Sequence, residues 1–231
     1  MGLQKKTMKN YIKSKLEKQN YFTIEGIEIF VDSELPKECN ARSAISKAFS
    51  MLPSHLFSQL KSIHIGKYKE LEDRELTALY KNKKIYLSND QDSTEDMIDD
   101  IIHEAAHLVE DVYKGQIYSD GKIKNEFLQK RKKLWYNLKN KDFSVQLNDF
   151  LQTKYDEQFD MFLYKKIGYP ILRIISSGVF LTPYSITSLR EYFATAFEQF
   201  YLKQDISLIK KVSPELYRKI LLIDNLKKVN K

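Results

Sequence analysis

The chain has 231 residues, 42% of them hydrophobic, which is enough to bury a real core. A single cysteine, Cys39, excludes an intrachain disulfide and a four-cysteine zinc knuckle. The net charge of +7 comes from 38 basic residues interspersed with 31 acidic ones, a pattern that argues against dedicated nucleic-acid binding.

The start, residues 1–20, is a basic and polar segment without the apolar core of a secretory signal peptide. Lys6 also stands where a myristoylation pattern needs Ser or Thr. The most apolar window, "YPILRIISSGVFLTPY", contains Arg173, Ser176, Ser177 and Gly178 and falls short of a membrane span. The expectation is a soluble protein, cytoplasmic or delivered without a classical signal peptide.

Taken in order, "YFTIEGIEIFVD" reads as a hairpin turning at Glu25-Gly26, and "NARSAISKAFSML" as a helix opening near Asn40. "LKSIHIGKY" reads as a strand, in which His64 alternates with Ile63 and Ile65 and is expected to face solvent; His55 and His64 are bystanders. "TALYKNKKIYLS" gives two strands around a polar turn. "STEDMIDDIIHEAAHLVEDVY" follows as a helix, with Ser93 as N-cap and acids in its early turns.

After residue 121 the texture turns helical: "NEFLQKRKKLWYNLKNK", "SVQLNDFLQTKYDEQFDMFLYKKI", "SLREYFATAFEQFYLK" and "PELYRKILLIDNLKK". The basic aromatic run within the first of these reads as a helix with an apolar face (Phe127, Leu128, Leu134, Trp135, Leu138) and a solvated basic face. No repeat or linker divides the chain. It is expected to be one domain over 1–231, with an α/β lobe over 21–115 that ends in a central helix and a helical lobe over 116–231.

Within the central helix, "HEAAH" places His103 and His107 four residues apart, so both imidazoles can reach one metal ion. Glu104 beside them is suited to take a proton from a water that zinc acidifies. The flanking Ile101, Ile102, Ala105, Ala106, Leu108 and Val109 predict a mostly buried helix, where two histidines and a glutamate would be costly without coordination. "KIYLS", just upstream, resembles the edge strand that zinc peptidases place above the cleft.

A third ligand is needed, because catalytic zinc usually takes three protein ligands and one water. The metzincin extension HExxHxxGxxH fails, since Glu110 replaces its glycine and Tyr113 its last histidine. Two glutamates compete. Glu126 lies 19 positions after His107, a spacing similar to that of gluzincin aminopeptidases, but Lys130 follows where thermolysin-like enzymes carry an aspartate. Glu191, in "YSITSLREYFATAFEQF", also completes a capping box with Ser188.

Here the chain resembles the anthrax lethal factor-like peptidase domain, a family that includes the clostridial Pro-Pro endopeptidases. The resemblance rests on "IIHEAAHLVEDVY", with Asp111 as its following acid, and on "EYFATAF", preceded by Tyr184 seven positions before Glu191. It implies a zincin-like α+β fold, with a small mixed sheet, an active-site helix and a helical C-terminal lobe. It further implies one zinc held by His103, His107 and Glu191, with Glu104 as general base and Tyr184 donating its hydroxyl to the oxyanion of a protein or peptide substrate. Thr195 stands where relatives often have a second acid, and the 84 positions from His107 to Glu191 imply an inserted helical pair within residues 121–168.

Overall fold

The computed structural model describes residues 20–203 and 205–226. The basic N-terminal segment, apart from Asn20, lies outside the described residues. The protein is of mixed α/β class, with one five-stranded mixed sheet and otherwise mostly helices. Two compact units divide the chain, residues 1–108 and 109–231.

In the first unit, β1 (Asn20–Ile24) and β2 (Ile27–Val31) form the expected antiparallel hairpin. Glu25 and Gly26 both take positive φ, as the two-residue turn that matches strand twist requires, and glycine accepts this without strain. Helix α1 (Ala41–Met51) begins where Asn40 caps it, the Asn40 side chain accepting from Ser43 N at 2.9 Å. The short α2 (Ser54–Phe57) buries His55 and leads to β3 (Ser62–Gly66). A further short helix, α3 (Lys69–Glu72), precedes β4 (Ala78–Lys81) and β5 (Lys84–Ser88).

The strand order is β1-β2-β3-β5-β4, with β2, β3 and β5 parallel and the two outer pairings antiparallel. This corrects one expectation. "KIYLS" is β5, an inner strand, and β4 is the edge. The reason is local: the turn Asn82-Lys83, with both φ positive, folds β4 and β5 into a hairpin, while β5 pairs with β3.

Alternate residues Ile29, Ile63, Ile65, Ile85 and Leu87 are sealed from solvent, as strand periodicity requires. Ala44, Ile45 and Ala48 of α1 are equally sealed, and each large aliphatic contributes about 1.5–3 kcal/mol. On the opposite face His64 is not simply solvated. It stacks between Phe30 and Tyr86, at centroid distances of 4.8 and 5.1 Å, and its Nε2 lies 2.9 Å from Ser62 Oγ.

Helix α4 (Thr94–Val112) carries the HEAAH motif. Ser93 caps it as expected, accepting from Asp96 N at 3.0 Å, with Glu95 and Asp96 in the first turn.

The second unit holds α5 (Lys114–Tyr118) and α6 (Lys122–Lys139). The buried stripe of α6 is Ile123, Phe127, Arg131, Leu134 and Leu138, so part of the basic run turns inward. Arg131 is fully buried. It donates from Nη1 to Gln152 O at 2.6 Å and from Nη2 to Asp149 O at 2.7 Å, and its guanidinium lies 4.1 Å from the Phe159 ring centroid.

Those bonds explain why residues 144–167 do not form the single helix expected. The carbonyls of Asp149, within a 3-10 turn (Leu147–Leu151), and of Gln152 accept from Arg131, and Asp156 caps a new helix α7 (Glu157–Met161) by accepting from Phe159 N. A π-helical stretch, Phe162–Ile167, and α8 (Tyr169–Ile175) follow. Instead of a helical pair, one long helix and several short pieces occupy residues 121–168.

Helix α9 (Leu189–Tyr201) is buried on all sides from Tyr192 to Phe197, which makes it the centre of this unit. Phe127 and Phe180 flank Tyr192 at centroid distances of 5.3 and 5.8 Å. Helices α10 (Ile206–Val212) and α11 (Pro214–Asp224) complete the described chain. No helix among the described residues is long and apolar enough to cross a membrane.

Candidate metal centre

Four residues on α4 correspond to one turn plus a small rotation and a rise of about 6 Å, so His103 and His107 share a face. Their rings lie 5.3 Å apart and nearly perpendicular, at 83°. His103 is half-buried, whereas Glu104 and His107 are buried at 7% exposure each.

Glu191 stands in the first turn of α9. Ser188, in extended conformation, caps this helix by accepting from Glu191 N at 3.1 Å, and Leu189 N donates to Thr153 O at 2.9 Å. One half of the expected capping box is thus formed. His103, His107 and Glu191 each offer one ligand atom, all within 4.8 Å of one another.

This group can hold a metal ion. Two imidazoles and a carboxylate make a donor set suited to zinc, whose bonds of about 2.1 Å in tetrahedral geometry would bring the ligand atoms to about 3.4 Å apart. It is the only group of three or more such side chains that meets this condition among the described residues.

Glu126 is not part of it. Its Oε1 accepts from Tyr192 Oη at 2.8 Å and its Oε2 from Glu215 N at 2.9 Å, at the start of α11. This carboxylate serves as a structural acceptor within the second unit, and burial beside it pushes Lys130 down to about 8. Lys130 Nζ donates to Val179 O at 2.6 Å and to Val212 O.

Glu104 is fixed by a main-chain group. Its Oε2 accepts from Tyr80 N at 2.5 Å, on the edge strand β4. One turn before His103, Asp100 accepts from Thr77 Oγ1 at 3.1 Å and Gln91 Nε2 at 3.3 Å, and burial pushes its carboxyl up to about 6 against those bonds. Sequence reading missed both contacts. A backbone amide leaves no residue signature; the spacing of Asp100 to His103 and Glu104 was the available clue.

Tyr184 opens a 3-10 turn (Tyr184–Ile186) directly after Pro183, and its carbonyl accepts from Thr187 Oγ1 at 2.8 Å. The turn leads into α9. Thr195 is buried at 4%, one helical turn beyond Glu191, and Asp111 is exposed. In comparisons with known proteins, no family model, curated protein or solved structure matches the chain.

Proposed function

We propose that this protein is a zinc-dependent endopeptidase of the lethal factor-like type, holding one zinc through His103, His107 and Glu191. The observation that supports it is the convergence of those three side chains from two sequence segments 84 positions apart. When bound there, zinc would acidify a water toward neutral pH and polarise the scissile carbonyl.

The chain's own groups do the rest. Glu104 takes the proton of the attacking water on Oε1, because Oε2 already accepts the Tyr80 amide, and passes it to the leaving nitrogen. The Tyr184 phenol donates to the carbonyl oxygen as negative charge develops there. The edge strand β4, apart from the Tyr80 amide that Glu104 engages, offers main-chain groups with which an extended peptide can pair.

The test is cleavage of a mixed peptide library by the full chain, with and without phenanthroline. Chelator-sensitive hydrolysis is expected, falling about 10²–10⁴-fold in Glu104→Gln while bound zinc stays at the wild-type level. Full-rate cleavage by Glu104→Gln, or cleavage indifferent to chelator, overturns the reading.

A further inference from the structure

We propose that Glu110, the residue occupying the metzincin glycine position, is a positioning residue that holds Glu191 at the metal centre through Arg190. The inference rests on the zinc reading above and assigns work to side chains outside the ligand set.

Glu110 sits three residues after His107 on the same helix, so its distance from that histidine is fixed by helix geometry, a rise of about 4.5 Å. It is buried at 7% exposure, an environment in which a carboxylate needs partners. Two are supplied: Tyr118 Oη donates to Oε1 at 2.7 Å, and Arg190 Nε donates to Oε2 at 2.8 Å. Arg190 immediately precedes Glu191 in the first turn of α9, where Ser188 already fixes the Glu191 amide.

Glu110 thus lies three helical residues after His107 and is joined to the residue before Glu191 by one charge-assisted contact. Tyr118, from α5, prevents the Glu110 carboxylate from rotating away. Arg190 has half its side chain in solvent, but its partner is buried, so removing the guanidinium withdraws the countercharge of a buried carboxylate and costs folding stability too. Its effect should appear in metal affinity, where supporting contacts of this kind are typically felt.

The experiment measures zinc affinity of the full chain by competition with a chelating indicator. Wild type, Glu110→Gln, Arg190→Gln, Arg190→Lys, Tyr118→Phe and the Glu110→Gln/Arg190→Gln double variant are compared, alongside melting of each metal-free protein. Each Gln variant should bind zinc about 10–100-fold more weakly, and the double variant no more weakly than the worse single one, because both break one contact. Arg190→Lys, which keeps the charge, should recover part of the loss with metal-free melting close to wild type, and Tyr118→Phe should cause a smaller loss.

A wild type that binds no zinc defeats the proposed function itself. A wild type that binds zinc, with Glu110→Gln and Arg190→Gln binding as tightly, overturns only the role of Glu110. So do losses that multiply in the double variant. Should Glu110→Gln fail to fold, the half-exposed Arg190 variants decide the question alone.

Discussion

Two glutamates stand near the start of two helices, Glu191 in α9 and Glu126 in α6, and they meet opposite fates. Glu126 is held by a buried tyrosine hydroxyl and the backbone amide of Glu215, one donor on each oxygen. Glu191 has its amide satisfied by Ser188, and its carboxylate lies within reach of two imidazoles. Spacing from His107 alone favoured Glu126, at 19 positions against 84 for Glu191. What separates them is where the surrounding donors point, and a carboxylate already used to hold a fold is a poor candidate for holding a metal.

The largest expected effect breaks this comparison directly. Glu191→Ala should lose bound zinc, about one per chain in wild type, whereas Glu126→Ala should retain it, as read by elemental mass spectrometry of both variants. Reversal of the two results would make Glu126 the ligand and the structural assignment wrong.

Next in size, Tyr184→Phe should lower kcat about 10²–10³-fold with KM nearly unchanged, since the phenol is assigned to the developing oxyanion alone. Equal loss in KM would instead make it a binding residue. Smaller still, Glu126→Ala should destabilise the protein by about 2 kcal/mol in urea melts, because Tyr192 Oη and Glu215 N lose a charged acceptor.

The smallest effect concerns Lys130, beside Glu126. Its folded pKa of about 8 lies below the ordinary 10.5, so the unfolded chain binds more protons between those values and stability rises with pH there. Between pH 7.5 and 9.5 the slope should be at most about 1 kcal/mol per pH unit, and Lys130→Met should flatten it. An unchanged slope in the variant assigns the dependence elsewhere.

Much of the local structure was legible in the sequence. Glu25-Gly26, Asn40 and Ser93 act through neighbours two or three residues away, and each turn or cap stands where its chemistry predicts. Pairing between distant strands was not legible, and so β5 was mistaken for the edge that β4 forms. The helix expected across residues 144–167 failed for a related reason. Arg131, from another element, draws the carbonyls of Asp149 and Gln152 out of helical bonding, and no periodicity within the segment records that.

The site divides along the same line. HEAAH stood out through its spacing and its apolar flanks, and Glu191 through the residues around it. The supports were silent: a backbone amide for Glu104, and for Glu110 an arginine 80 positions away.

The contact between Glu104 and Tyr80 N has a colloidal consequence as well. An edge strand exposes main-chain donors that invite a second copy of the protein to add on, the first step of sheet-to-sheet aggregation. On β4 one such donor is occupied by a carboxylate, and Lys81 puts a charge at the strand's end. Replacing the residue assigned to proton transfer would therefore leave one more main-chain donor of that edge without its acceptor.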